Sequence, residues 1–228
     1  MRCRGVPFPG LRGVRPSASL VMKYCSECGS AMSHRRVARE ARDRDVCTSC
    51  GTIHYQNPRI IVCCIVHWHQ KILLCRRADE PARGEWVVPA GFLECGETLE
   101  EGAARETLEE TGVVVDPSDL DLGWIINMTG IHQVAIAFRV NVIDLPELRP
   151  GPECLEAAFV SADELPNKVL AWRASLGDGP QIFFQELQSG DFTIQLQTLG
   201  SEQGIGFKSR GYKVQSIASR IYQPKSKR

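Results

Sequence analysis

The sequence predicts an α+β fold in two parts, a small module held by cysteines and a larger domain built on a mixed β-sheet. Three observations support this prediction. Two Cys-x-x-Cys pairs lie near the N-terminus, β-branched runs separated by turn residues begin at residue 59, and an acidic helical pattern covers 98–111. At 228 residues the chain is long enough for one generous domain and one small module.

Charge is unevenly distributed along a chain whose formal net charge is zero. Residues 25–198 carry 15 basic against 26 acidic residues, whereas residues 1–24 hold five basic residues and no acidic one. Residues 199–228 hold seven basic residues and one acidic residue. The acidic centre favours cation binding. No apolar run approaches the roughly 18 residues that span a bilayer, so no membrane partner is expected.

Two interpretations of residues 1–22 stay open. The segment is rich in arginine and free of acids, as organelle transit peptides are, although its three prolines interrupt an amphipathic helix. Alternatively, the true start is Met22. We expect both 1–22 and part of the basic tail 199–228 to be disordered. The cytoplasm is the expected compartment, and a mitochondrion or plastid is the alternative if residues 1–22 are a transit peptide.

The first structural module is predicted at residues 23–56. Cys25 and Cys28 are followed after 18 residues by Cys47 and Cys50. This spacing is typical of a zinc ribbon, because each tight turn brings two thiolates together and two turns complete a tetrahedron. Four sulfurs leave no open position, so this zinc is expected to be structural. The segment between the pairs is polar, and its folding is expected to depend on the metal.

The main domain is predicted at residues 57–198. Strands are indicated by β-branched and aromatic runs bounded by turn residues. They are predicted at 59–67, 71–76, 86–89, 120–127 and 131–142. After Pro166, residues 181–190 predict a helix whose apolar side chains cover the sheet. Little periodic pattern follows residue 198.

A further helix is predicted at 98–111. Thr98 fits the N-cap position and Glu101 the third helical position, which together form a capping box. Gly112 supplies the left-handed residue that ends the helix. Gly102 in the helix interior costs about 1 kcal/mol relative to alanine, which indicates a close approach of backbone or ligand at that point.

One side of this helix concentrates negative charge. Ala104, Leu108 and Thr111 are expected to form the packing face, and Glu106, Glu109 and Glu110 the opposite face. Like charges one turn apart destabilise an isolated helix by a few tenths of a kcal/mol. A solvated helix face normally interleaves lysines with acids, but this helix has no lysine and only Arg105. Clustered carboxylates provide hard oxygen ligands, so the pattern predicts a Mg²⁺ or Mn²⁺ site.

The same stretch matches a longer pattern, Gly-x5-Glu-x7-Arg-Glu-hydrophobic-x-Glu-Glu-x-Gly-hydrophobic. The matching positions are Gly91, Glu97, Arg105, Glu106, Glu109, Glu110, Gly112 and Val113. Thr107 departs from it at a position that is usually aliphatic. The stretch resembles the Nudix box, and residues 57–170 resemble Nudix hydrolases. The cysteine module and the following "HYQNP" are similar to a zinc-ribbon subgroup of that family. The resemblance implies an α/β/α sandwich.

The resemblance also implies roles for the box residues. Glu106 and Glu110 would be core metal ligands, and Glu109 a ligand or the group that orients the attacking water. The backbone carbonyl of Gly91 would complete the metal site. Arg105 would hold the glutamates in place, with Glu97 as its partner or as an outer ligand.

Substrate contacts are implied on both sides of the box. Upstream, Arg76, Arg77, Arg83 and Trp86 resemble positions that hold phosphates or a base; surface salt bridges and core packing are the alternatives. Downstream, "GPECLEAAFVSADELP" resembles the family's late glutamate loop, so Glu153 or Glu156 is a candidate general base or extra metal ligand.

The predicted function is divalent-metal-dependent hydrolysis of a nucleoside diphosphate linked to another moiety, with FAD or ADP-ribose first. The "SQPWPFP" run typical of NADH pyrophosphatases is absent, and Met128 stands where one ADP-ribose group has proline. Open alternatives are an NADH pyrophosphatase, an RNA 5′-end pyrophosphohydrolase and a non-catalytic sensor of nucleotides that binds nucleic acid. The expected partner is a small dinucleotide or nucleotide sugar. Nucleic acid is not expected, because the arginines of the module alternate with acids. Many relatives are dimers, so a homodimer stays open.

Overall fold

The computed structural model describes residues 22–171, 179–199 and 208–212, and its described part divides into two compact units at Pro58. The predictions for residues 1–21 and for most of the basic tail lie outside these ranges. None of the helices in the described ranges is both long enough and apolar enough to cross a bilayer.

The small unit is a three-stranded antiparallel sheet. Its strands are β1 (Met32–Arg36), β2 (Asp43–Cys47) and β3 (Ile53–His54), with β2 in the centre. Among its described residues only Cys25, Asp45, Val46 and Cys47 are buried. The cysteine cluster therefore takes the place of a hydrophobic core, as the polar sequence of this module predicts.

The main unit is built on a mixed sheet of nine strands within the described ranges. These strands are β4 (Arg59–Trp68), β5 (Lys71–Arg77), β6 (Trp86–Val87), β7 (Ala90–Phe92), β8 (Asp121–Met128), β9 (Gln133–Asn141), β10 (Cys154–Ser161), β11 (Ile194–Leu199) and β12 (Lys208–Tyr212). Their order is β10-β5-β4-β9-β8-β11-β12, with β6 paired to β5 and β7 paired to β4. Two pairs, β4–β9 and β8–β11, are parallel, which confirms the mixed sheet.

Two helices, α1 (Leu99–Thr111) and α2 (Gly179–Ser189), cover opposite faces of this sheet. The alternation of side chains along β4 establishes this arrangement. Cys64 and Val66 pack in one cluster with Ala103 of α1, whereas Ile65 packs in the other cluster with Phe183 of α2. The predicted α/β/α sandwich is confirmed.

The sheet ends in a strand from the region beyond residue 198, where the sequence shows little periodic pattern. Strand β12 lies within the predicted tail and pairs with β11 in antiparallel register. Its sequence is polar, and an edge strand can be held by backbone hydrogen bonds on one side without an apolar pattern. Hydrophobic periodicity therefore gave no signal for it.

Candidate active site

Helix α1 begins and ends at the residues that the local sequence predicts. The Thr98 Oγ1 accepts from the Glu101 N–H at 3.1 Å, and the Thr98 N–H donates to Glu101 Oε2 at 2.7 Å. Gly112, with a φ of 77°, ends the helix in the left-handed conformation that glycine adopts at no steric cost. The capping box and the glycine stop are confirmed, and together they fix the helix against its preceding loop.

The face of α1 that packs on the sheet is rotated from the predicted one, although Ala104 and Thr111 lie on it as expected. Thr107 and Thr111 are fully buried, whereas Leu108 is 47% exposed, so the prediction for Leu108 was wrong. The Thr107 hydroxyl donates to the Ala103 carbonyl at 2.7 Å, and the Thr111 hydroxyl to the Thr107 carbonyl at 2.6 Å. Their burial therefore leaves no unsatisfied donor. The same rotation of the helix buries Glu110, which is 8% exposed.

The Arg105 guanidinium forms hydrogen bonds to three glutamates of the site. Its Nε and Nη2 donate to the two carboxylate oxygens of Glu97, and its Nη2 also reaches the Phe92 carbonyl at 3.1 Å. Its Nη1 donates to Glu106 Oε1 at 2.7 Å and to Glu109 Oε2 at 3.2 Å. These hydrogen bonds lower the pKa of Glu97 to about 2. One cation thus offsets the repulsion of three carboxylates.

Glu97 lies directly against Gly102 of the helix. A Cβ at Gly102 would lie 2.8 Å from Glu97 Oε1 and 2.9 Å from Leu93 Cδ1. Glu97 Oε1 also accepts from the Glu94 N–H at 2.7 Å. The close approach expected at Gly102 is present, and it is made by side chains of the preceding loop rather than by backbone or ligand.

Glu106 lies over Gly91 in strand β7. A Cβ at Gly91 would overlap the carboxylate of Glu106, so only glycine allows the helix to carry a glutamate at this point. The Glu106 side chain is 14% exposed. Burial raises the pKa of Glu106, and the hydrogen bond from Arg105 opposes that rise. Gly91 and Glu106, which the sequence resemblance implies as metal ligands, are therefore adjacent, and their coordination of metal stays a prediction.

Glu110 is the most enclosed of the three helical glutamates. Its Oε2 accepts from the Ala90 N–H at 3.0 Å and from Cys75 Sγ at 3.2 Å. Burial raises the pKa of Glu110 to about 7, and the two hydrogen bonds oppose the rise. Among the described residues no hydrogen bond reaches its Oε1. Glu109, by contrast, is 59% exposed.

The loop before β10 caps the C-terminal end of α1. The Arg149 N–H donates to the Thr111 carbonyl at 2.7 Å, and the Gly151 N–H to the Glu110 carbonyl at 3.1 Å. A Cβ at Gly151 would overlap another carbonyl oxygen of the helix. The loop thus satisfies carbonyls that a helix end leaves open, and it fixes the position of Glu153 relative to the helix.

The structure separates the two late glutamates. Burial is the main cause of the raised pKa of Glu106, and the charge of Glu153 is a further, smaller cause. Glu156 follows a bulge in β10 and forms an ion pair with Arg76 at 3.6 Å. The next residue, Ala157, packs in the cluster beside α1, so strand alternation directs Glu156 to the opposite face of the sheet. Of the two, Glu153 is the one whose charge acts on Glu106, and its role as base or ligand stays a prediction.

The three upstream arginines lie at or within the turn that joins β5 to β6. Arg76 Nε donates to the Gly84 carbonyl at 3.1 Å, and Arg77 Nε donates to the Pro81 carbonyl at 3.2 Å. Arg83 is exposed in the same turn, between Pro81 and Gly84. Arg76 and Arg77 therefore hold the turn that precedes β6, and the role of these arginines in substrate binding stays a prediction.

Two aromatic side chains near the box have different surroundings. Trp86 is 6% exposed and packs in the core, with Lys168 Nζ 4.0 Å from its ring centroid; this is the core alternative that the sequence left open. Phe92 is 42% exposed beside Gly91, with the Arg59 guanidinium 4.6 Å from its ring centroid. Phe92 was not among the residues predicted from the sequence, although an aromatic residue directly after the box glycine was a usable signal.

Cys75 is the other contact that sequence analysis missed. It lies on β5, 35 residues before Glu110, and only strand pairing brings the two side chains together. A hydrogen bond to Cys154 and burial raise the pKa of Cys75, and its Sγ lies within donating distance of Glu110 Oε2, at 3.2 Å. No sequence signal pointed to this contact.

The four predicted cysteine ligands of the small unit converge. The Sγ atoms of Cys25, Cys28, Cys47 and Cys50 lie within 4.8 Å of one another. Cys28 Sγ is 3.4 Å from Cys47 Sγ and 3.5 Å from Cys50 Sγ. His54 Nε2 lies 3.3 Å from Cys25 Sγ. Four sulfurs at this spacing fit a closed tetrahedral site.

The acidic strand–loop–helix, with α1 as one layer of an α/β/α sandwich, is the arrangement that the sequence resemblance implied. Residues 57–178 match the family model described as NUDIX domain, and residues 23–56 match the one described as Nudix N-terminal. The first match covers more than half of the chain. The chain belongs to the Nudix family and carries an N-terminal zinc ribbon.

Similar proteins include two curated enzymes and one solved structure. The ADP-ribose pyrophosphatase of Methanocaldococcus jannaschii is 37% identical over 116 residues, which is 50% of this chain and 68% of that enzyme. The NAD-capped RNA hydrolase NudC of Vibrio atlanticus is 43% identical over 151 residues, which is 57% of this chain and 53% of that protein. The crystal structure of a NUDIX hydrolase from Nitrosomonas europaea is 39% identical with a TM-score of 0.70, covering 78% of this chain and 99% of the other. The chain thus spans about two thirds of the first relative and about half of the second.

Proposed function

We propose that the protein is a divalent-cation-dependent pyrophosphohydrolase of nucleoside diphosphates linked to another group, with ADP-ribose and FAD as the first substrates. Hydrolysis of ADP-ribose gives AMP and ribose 5-phosphate, and hydrolysis of FAD gives AMP and FMN. The observation that carries the proposal is a cluster of three helical carboxylates beside strand β7. Arg105 bonds to Glu106 and Glu109, Glu106 lies over Gly91, and Glu110 accepts from the neighbouring Ala90 N–H. The similarity to an ADP-ribose pyrophosphatase supports the first substrate.

The donor set fits Mg²⁺ or Mn²⁺. These ions prefer oxygen ligands and bind through a few carboxylates together with water and phosphate oxygens. The site offers carboxylates of differing exposure, from the enclosed Glu110 to the open Glu109, and Glu106 lies against the backbone of Gly91. A bound divalent ion would neutralise charge on the phosphoryl oxygens and lower the pKa of water. The four cysteines of the ribbon would hold structural zinc.

The remaining side chains have positioning and proton-transfer tasks in this proposal. Arg105 keeps Glu106 and Glu109 directed toward the substrate, and Glu97 in turn holds Arg105. Glu153, fixed near Glu106 by its loop, accepts the proton of the attacking water. The exposed ring of Phe92 offers a flat apolar surface for a base or nicotinamide next to the site.

The proposal is tested with the purified full chain in the presence of Mg²⁺ or Mn²⁺. ADP-ribose, FAD and 8-oxo-dGTP are incubated separately, and the products are separated by chromatography. We expect AMP from ADP-ribose or FAD, no turnover without divalent ion, and no turnover by Glu106→Gln. Absence of AMP from every dinucleotide would overturn the proposal.

A second candidate is hydrolysis of NADH or of the NAD cap of RNA. The similarity to NudC favours it, whereas the missing "SQPWPFP" run does not. NADH, NAD-capped RNA and 5′-triphosphate RNA are therefore added to the same assay. A kcat/KM for NADH or capped RNA above those for ADP-ribose and FAD would make this the function.

A further inference from the structure

Cys75 makes an unusual contact for a buried thiol. It is 2% exposed, and its Sγ lies 3.2 Å from Glu110 Oε2. A buried cysteine behaves most often as a small apolar side chain. Here the thiol lies against a carboxylate that comes from a different layer of the fold, since Cys75 is on the sheet and Glu110 is on helix α1.

The contact constrains the carboxylate together with one backbone group. The Ala90 N–H donates to the same oxygen, Glu110 Oε2, at 3.0 Å. One donor alone would allow the carboxylate to swing about the hydrogen bond. Two donors on one oxygen, from β5 and β7, restrict the carboxylate more than one donor would, and no hydrogen bond from the described residues reaches Oε1.

The thiol has two further acceptors nearby, the Val87 carbonyl at 3.5 Å and the Cys154 sulfur. The Glu110 oxygen is closer than the carbonyl oxygen. In the deprotonated form that would bind a cation it is also a charged acceptor, and hydrogen bonds to charged acceptors are the stronger. Cys154 directs its own thiol to the Glu156 carbonyl at 3.1 Å. The geometry therefore favours donation from Cys75 to Glu110, strengthened by the dry surroundings.

Resting on the proposed function, in which Glu110 is a cation ligand, we propose that Cys75 is a positioning residue for that ligand. Its S–H, with the Ala90 N–H, holds Glu110 Oε2 so that Oε1 faces the divalent ion. Cys75 itself contacts neither ion nor substrate. Outer contacts of this kind typically change metal affinity by about 10- to 100-fold when removed.

The test compares variants that separate hydrogen bonding from packing. Cys75→Ala removes the donor, Cys75→Val fills the volume without a donor, and Cys75→Ser retains a donor in a smaller side chain. Mn²⁺ binding is measured by electron paramagnetic resonance of the free ion, and the Mn²⁺ concentration for half-maximal activity is measured in parallel. Cys64→Ala is the matched control, because Cys64 is equally buried but is not bonded to a glutamate.

We expect Cys75→Ala and Cys75→Val to weaken Mn²⁺ binding about tenfold, and Cys75→Ser to stay within about threefold of the wild type. The control variant is expected to lose stability but to bind Mn²⁺ normally. Equal affinity in all four Cys75 forms would overturn the inference, and so would an equal loss in Ala and Ser, which indicates packing alone. If the wild type itself binds no Mn²⁺, the proposed function fails and this inference fails with it.

Discussion

Arg105 and Glu97 are joined by two hydrogen bonds, Nε to Oε2 at 3.0 Å and Nη2 to Oε1 at 2.8 Å. The planar fork of a guanidinium matches the two oxygens of a carboxylate in this way. The third nitrogen of Arg105 remains available for Glu106 and Glu109. The loop before α1 and the acidic face of α1 therefore depend on a single side chain.

Arg105→Lys should lower activity although it retains the positive charge. A lysine ammonium cannot form the fork, so Glu97 and Glu106 would no longer be held by one rigid group. We expect kcat/KM to fall by about 10- to 100-fold, measured with the best substrate at saturating Mn²⁺. Arg149→Lys is the matched control, because its side chain forms an exposed pair with Glu147. A wild-type kcat/KM for the Arg105→Lys variant would contradict the role of Arg105 in holding the glutamates.

Glu110→Gln should abolish turnover and remove a pH-dependent loss of stability. The pKa of Glu110 is about 7 in the fold against an ordinary 4.5, so the folded protein binds this proton more tightly than the unfolded chain. Its contribution to stability is therefore present at low pH and is lost as pH rises from about 4.5 through 7. The difference corresponds to about 3 kcal/mol at most.

The measurement is urea unfolding of wild type and Glu110→Gln from pH 4.5 to 8, without added Mg²⁺ or Mn²⁺. Chelators are left out so that the ribbon keeps its metal. Burial also raises the pKa of Glu186 to about 7, but this group contributes equally to both proteins, and the difference between them isolates Glu110. If the free energies of unfolding of the two proteins changed with pH in parallel, the fold would not destabilise the charged form of Glu110, and the expectation would be wrong.

Glu153→Gln and Glu156→Gln should differ although the two residues are three positions apart. Glu153 lies near Glu106, and a general base typically contributes about 100-fold or more to the rate. Glu156 is paired with Arg76 on the other face of the sheet. We expect a large drop in kcat for the first variant and less than about a twofold change for the second, where only an exposed ion pair is lost. Equal effects in a steady-state assay would refute the assignment.

Removal of zinc should unfold residues 23–56. Few side chains of this unit are buried apart from the cysteines, and binding energy is folding energy in such modules. Amide resonances of β1–β3 are expected to lose dispersion after chelation and to regain it with Zn²⁺ but not with Mg²⁺, since thiolates select soft ions. Dispersed ribbon resonances in the zinc-free protein would contradict this expectation.

The parts of the site that could be predicted from the sequence depend on local geometry. The capping box of Thr98 and Glu101 and the glycine stop at Gly112 involve residues a few positions apart, so spacing alone specifies them. The burial of Glu110 could not be predicted, because it depends on how far α1 is rotated on β4. Small side chains such as Thr107 decide that rotation. The predicted face was correct for Ala104 and Thr111 but wrong for Leu108.

The remaining differences have the same origin in tertiary pairing. The choice between Glu153 and Glu156 depends on one bulge in β10, which changes the face that each following residue occupies. The contact of Cys75 with Glu110 requires β5 and α1 to meet across 35 residues of chain. Neither the bulge nor the Cys75–Glu110 contact can be recognised in a single sequence, whereas a repeated cysteine spacing can.

The cap that the loop places on α1 also limits where this protein can change in length. Ile143 and Leu145 are 81% and 56% exposed, so extra residues inserted there would extend into solvent. Between Arg149 and Glu153 no such freedom exists, because Arg149 and Gly151 are bonded to successive carbonyls of the helix end. Inserted segments that would accommodate larger substrates therefore fit near Ile143 and Leu145 but not between Arg149 and Glu153.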